Sequence, residues 1–98
     1  MMRFEWSELK NNANIKKHGI AFTEAEEIFD DPFQINVLDK RFSYREERWI
    51  TLGASRKGKL IVVGHLYDIL PDGEEIIRII TARAATKKEK ERYEKLEG

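Results

Sequence analysis

The sequence predicts an α+β domain. Its core element is an antiparallel sheet of three to four strands in a meander, joined by a short N-terminal strand. Two helices precede the meander and one follows it, packed against one sheet face. Three observations carry this reading. Runs rich in β-branched residues between positions 48 and 83 are joined by short turns built on Gly and Pro. Helix-start signals flank those runs on both sides, at Ser7, Thr23 and Thr86. The chain has 98 residues, 41% hydrophobic; such a length makes one domain and buries only about 60 to 65% of its unfolded surface.

Taken in order, residues 3–6 form a short strand that seeks a partner in the later sheet. Ser7 caps a helix through His18, and Gly19 stands where a left-handed residue stops it. That helix offers a thin apolar stripe of Leu9, Ala13 and Ile15. Thr23 and Glu26 match a capping box for a second, acidic helix, which ends at Asp30-Asp31-Pro32 because proline restricts the residue before it and lacks a donor. Phe33, Ile35 and Val37 alternate with polar residues as in a half-buried strand. Residues 39–47 read as a mobile loop.

Residues 48–54 and 59–68 form a hairpin across the turn 55–58, and residues 70–74 turn the chain into a third strand over 76–83. Thr86 and Glu89 form a capping box for a last helix from Lys87 to about Leu96, which has only Ala85, Tyr93 and Leu96 to bury.

The absence of cysteine excludes disulfides, thiol catalysis and cysteine zinc sites. The two histidines, His18 and His65, lack helical ligand spacing, so no metal and no cofactor is expected. No segment is apolar enough for a signal peptide or a membrane span, which points to a soluble cytoplasmic protein with no membrane partner. Net charge is zero, but residues 22–39 hold six acids and no base, whereas residues 40–59 hold seven bases against two acids. A basic patch of that kind contacts phosphates through its local field even on a neutral chain. It also suits an ordinary solvated surface.

Strand alternation places His65 and Tyr67 on one side with Ile61 and Val63. It places Arg78 with Ile76 and Ile80, and Arg83 on the opposite parity if the strand is regular. A wetted sheet face offering Arg, His and Tyr can hold a phosphodiester. Metal-free RNA cleavage needs a base for the 2′-hydroxyl, cations for the developing phosphorane charge and an acid for the leaving oxygen. His65 suits proton transfer, arginines suit phosphate clamping, and Tyr67 or Tyr93 can stack a base. The same residues equally describe a structural strand histidine and two surface arginines.

Five blocks in order resemble the BrnT family of bacterial type II toxins: Phe4-Glu5-Trp6; Asn14 to Ile20; Phe22 to Ala25 with Phe29 to Pro32; Glu47-Arg48 with Leu52-Gly53; and Arg78 to Arg83 with Ala85, Thr86, Glu89 and Tyr93. The resemblance implies a RelE-like fold and a metal-independent endoribonuclease that arrests growth. It also implies a BrnA-like ribbon-helix-helix antitoxin as partner, with operator DNA contacted only through that antitoxin. It carries over Arg48, Arg78, Arg83, Glu89 and Tyr93.

Together with the strand argument, the expected catalytic set is His65, Arg78 and Arg83, and the expected RNA contacts are Arg48, Arg56, Lys57, Tyr67 and Tyr93. Ser7 stands where the family usually has Asp, and Ala84 where it often has Lys, which removes a cation beside Arg83. A module that binds antitoxin or RNA without cleaving is the alternative.

Overall fold

A computed structural model describes residues 2–41 and 47–97, so most of the predicted loop, residues 42–46, lies outside the described residues. The elements are β1 (Met2–Glu5), α1 (Glu8–His18), α2 (Phe22–Ala25), a 3₁₀ helix (Glu26–Asp30), β2 (Ile35–Leu38), β3 (Arg48–Ala54), β4 (Leu60–Ile69), β5 (Glu75–Ala84) and α3 (Lys87–Glu97). The five strands form one sheet in the order β1-β5-β4-β3-β2. Strands β2 to β5 are the expected antiparallel meander, but β1 runs parallel to β5, so the sheet is mixed. A four-residue strand carries no mark of the direction in which it will pair.

The helices also differ from expectation, because they cover both faces. On one face Ile20, Phe22, Ala25 and Ile28 from the α2 region pack on Ile61, Val63, Ile77, Ile79 and Ala82, with Phe4, Trp6 and Phe29 at the margin. On the other face Ala85 and Tyr93 cover Leu52 and Val62, flanked by Ile35, Ile50, Ala54 and Leu60. Helix α3 therefore seals one end of the second face and leaves the other end open. Two close approaches require glycine: a Cβ on Gly53 would lie 3.0 Å from Ile28 Cβ, and one on Gly64 2.8 Å from Thr81 Oγ1.

Helix α1 begins at Ser7, whose hydroxyl accepts from Lys10 N–H at 3.4 Å, and stops at Gly19 with φ 71°. Its expected apolar stripe is not what packs: Leu9 is 84% exposed and Ile15 41%. The anchoring residue is Asn14. Its amide donates to Ile20 O (2.9 Å) and Ala82 O (2.8 Å) and accepts from Ala82 N–H (3.1 Å). Strand β1 pairs only with residues 75–78 of β5, so Asn14 stands in for a neighbouring peptide on the edge that β1 leaves uncovered.

Asn11 does similar service at α2, accepting from Phe22 N–H at 2.9 Å, while the expected Thr23–Glu26 box is replaced by an N-cap at Ala21 without a side-chain bond. The Thr86–Glu89 box forms as read, with Glu89 N–H to Thr86 Oγ1 at 3.2 Å and Thr86 N–H to Glu89 Oε1 at 2.8 Å.

Candidate nucleic-acid interface

The second sheet face gathers the arginines, Arg48 and Arg78 on its open half and Arg83 at the border with α3. Cross-strand pairing aligns Arg48, Leu66 and Arg78 in one row, and Leu52, Val62 and Arg83 in another. Residues paired across a sheet share a face. Arg78 and Arg83 share it because the β4–β5 register shifts: Gly64 faces Thr81 while His65 faces Ile79, leaving Ile80 as the extra residue of a bulge. Five positions then bring both guanidiniums to one side where a regular strand would part them. Strand spacings put the Arg48 and Arg78 Cα atoms roughly 10 Å apart and the Arg83 row roughly 13 Å further along. This is a line of cations rather than a single clamp.

Each position has a local cause. Gly64 leaves room for the Arg48 guanidinium, since a Cβ there would lie 3.4 Å from Arg48 Nη2. Arg83 is held bidentately by Glu89, Nη1–Oε1 at 2.8 Å and Nη2–Oε2 at 3.0 Å, and donates to Ala84 O at 3.3 Å. That guanidinium, opposed by partial burial and helped by the Thr86 cap, draws the Glu89 carboxyl down to about 2. Arg78 pairs with Glu5 at 3.6 Å, both about half exposed.

Arg41, a residue that alternation and motif spacing do not single out, belongs here too. It is gripped by Asp39 (Nε–Oδ1 3.1 Å) and lies near enough to Arg83 to feel its charge, while Asp39 feels that of Arg48. The pairing of Asp39 N–H with Arg48 O at 2.7 Å, which extends β2 along β3, brings it in. An arginine offers five donors, so one engaged by a carboxylate retains others for phosphate.

His65 and Tyr67 do not join this face. Their parity places them on the opposite one, where His65 is 3% exposed and Phe29 stands edge-on to its ring at 5.0 Å. Its Nδ1–H faces Leu66 O (3.3 Å), Nε2 meets Thr51 Oγ1 (2.7 Å), and Asn36 Oδ1 lies 2.5 Å beyond on Thr51. Burial pulls the imidazole down to about 4, against a small opposing pull from the Leu66 carbonyl. The assignment of His65 beside Arg78 and Arg83 is thus corrected: the bulge that unites the arginines leaves the histidine on the opposite face, the one covered by the α2 region and the 3₁₀ helix. Tyr67 lines a cleft of about 270 Å³ there with Trp49 and Phe29 and donates to Glu75 Oε1 at 2.6 Å.

Tyr93 is corrected as a stacking platform as well. It is 5% exposed, and its hydroxyl donates to Asp31 Oδ2 at 2.5 Å. Burial raises the Asp31 pKa, but hydrogen bonds from Tyr93, Ala54 N–H and Phe33 N–H outweigh it and hold the carboxyl below its usual range. Asp31 thereby ties the 3₁₀ helix to β3 and α3. Arg56 and Lys57 lie at the β3–β4 turn in a groove with Glu24 and Glu27, and Arg56 faces Glu27 (3.9 Å) and Asp30 (3.8 Å). They form a mixed-charge patch apart from the arginine row. Among the described residues no group of three metal-ligating side chains gathers, and no helix is long and apolar enough to cross a membrane.

A family model described as the ribonuclease toxin BrnT of a type II toxin–antitoxin system matches residues 6–89. A search of curated proteins found no match. Among solved structures, the Brucella abortus ribonuclease toxin BrnT superposes with a TM-score of 0.60 at 21% identity, over 89% of this chain and all of that one. At that identity the likeness shows a shared fold.

Proposed function

Because this chain belongs to the BrnT family of ribonuclease toxins of type II toxin–antitoxin systems, we propose that it is a metal-independent endoribonuclease that handles the scissile phosphate on the open sheet face carrying Arg48, Arg78 and Arg83. The single observation behind this reading is the β5 bulge, which turns Arg78 and Arg83 onto the face that Arg48 shares. Fixed guanidiniums stabilise phosphorane-like charge without reorganising, and two or three along a line hold the strand on either side of the cleaved bond. The partner is an antitoxin of the BrnA-like ribbon-helix-helix kind. Leu96, 64% exposed on α3, offers it an apolar contact. Operator DNA is then reached only through that antitoxin, and the site of action is the cytoplasm.

Burial of His65 away from the arginines favours a second reading, an RNA-binding module without cleavage. Incubating purified protein with RNA in EDTA decides between them. Cleavage that persists in chelator and is suppressed by antitoxin supports the enzyme. Salt-sensitive binding with intact RNA supports the module, and cleavage only with added metal contradicts the mechanism.

A further inference from the structure

The stripe of α1 that faces β5 is polar. Lys10, Ala13, Asn14, Lys17 and His18 recur at the spacing of one helical face, and with Ile80 and Thr81 they line a groove beside the bulge. The groove presents two ammonium groups and an imidazole with no carboxylate in its lining. Lys10, Lys17 and His18 are exposed, and none makes an ion pair among the described residues. This contrasts with the arginine face, where Arg41, Arg78 and Arg83 each hold a carboxylate.

The two surfaces meet at Thr81. Its hydroxyl borders the space over Gly64 that the Arg48 guanidinium occupies, and the same residue lines the groove with Lys10 and Lys17. The bulge leaves Ile80 without a partner on β4, and Ile80 and Thr81 both border α1 at this point.

We infer that the groove between α1 and the bulged stretch of β5 is a second phosphate-binding track. It carries the backbone of a single-stranded RNA past Thr81 and away from the arginine face, with Lys10 and Lys17 as its principal contacts. The inference rests on the ribonuclease reading above and extends it, since it assigns a surface for nucleotides outside the cleaved step. A compact ammonium on a flexible stem suits such a role, which needs charge along a path and not a fixed bidentate geometry. Release of counterions from each neutralised phosphate makes the contribution measurable.

The test uses the full chain with Lys10→Gln/Lys17→Gln, and Lys16→Gln as a control on the same helix outside the groove. Binding of an unstructured RNA oligonucleotide is measured across a salt series, and cleavage of a dinucleotide substrate in parallel. The double variant is expected to bind the oligonucleotide about tenfold more weakly at low salt. Its salt slope should be shallower by about 1.4, or about 0.7 for each phosphate of a single strand that the protein ceases to neutralise. Dinucleotide cleavage and the thermal midpoint should stay unchanged.

Equal losses from Lys16→Gln would reduce the effect to general charge and overturn the track. So would an unchanged slope in the double variant while Arg78→Ala abolishes binding, an outcome that leaves the arginine reading standing. Wild-type protein that neither binds nor cleaves RNA overturns both.

Discussion

Arg78 and Arg83 project from one face of β5 although five positions separate them, because the strand gains a residue opposite the Gly64–His65 step. The cationic line is therefore a product of backbone geometry. Arg78 stands in a half-exposed pair with Glu5, whose loss costs little stability. Arg78→Ala is expected to lower RNA cleavage by about a hundredfold or more while shifting the unfolding free energy by less than about 0.5 kcal/mol. Cleavage rates and urea midpoints on the same samples check both halves. Retention of full activity would remove Arg78 from the site.

Gly64→Ala probes the same face without removing a charge. The new methyl would lie 2.8 Å from Thr81 Oγ1, so Thr81 must rotate, and it would touch Arg48 Nη2 at 3.4 Å. Cleavage is expected to fall by about tenfold through the rearrangement of Thr81 beside Arg48. Gly64→Ala with normal kinetics would show that the packing of Thr81 beside Arg48 is immaterial to cleavage.

His65 governs acid stability. The fold keeps its imidazole neutral down to about pH 4, whereas the unfolded chain binds a proton near 6.5. Between these values the unfolded state holds more protons, so stability is full above about 6.5 and drains away as pH falls toward 4. The total is about 3 kcal/mol. Denaturant titrations from pH 4 to 7 should show this rise in the wild type, and His65→Gln should flatten it. Any folded His65→Gln protein should retain cleavage, because the ring is on the face opposite the arginines.

Asn14 closes the β5 edge. Asn14→Ala leaves the buried Ala82 N–H and C=O and the Ile20 C=O without this partner. A loss of about 2 to 4 kcal/mol is expected from unsatisfied groups. Asn14→Asp should be worse, since its oxygens would face two carbonyls where the amide now donates. Equal midpoints for wild type and both variants would show that water replaces the amide at no cost.

The Arg83–Glu89 pair gives a second, separate acid transition. With the Glu89 carboxyl drawn to about 2 from its ordinary 4.5, its stabilisation is present above 4.5 and lost as pH falls through 2. Partial exposure of both side chains limits it to about 1 kcal/mol. Glu89→Gln should remove the pH dependence of α3 helicity in that window, followed by circular dichroism. It frees Arg83 donors, so RNA binding should hold or strengthen.

The linear pattern made much of this fold legible. Alternation and turn chemistry locate β3, β4 and β5 to within a residue or so. The Ser7 and Thr86 caps and Gly19 mark helix ends, because these signals act over four residues or fewer. The matched motifs also led to Arg48, Arg78 and Arg83. What alternation could not supply was sidedness across strands. A regular β5 would separate Arg78 from Arg83, and without a register His65 was free to stand with either.

Chemistry along the chain is enough to specify the local elements and the stock of side chains: no cysteine, two arginines at a strand-to-helix joint and a capping glutamate beside them. Folding in three dimensions settled the rest. Pairing fixed β1 as parallel, the bulge at Ile80 set which guanidiniums share a face, and the docking of Asn14 on Ala82 turned a helix stripe of lysines toward the same edge. Caps and turns are satisfied by neighbours in the chain, whereas strand direction, register and edge coverage are settled by pairing between segments as far apart as Met2 and Glu75.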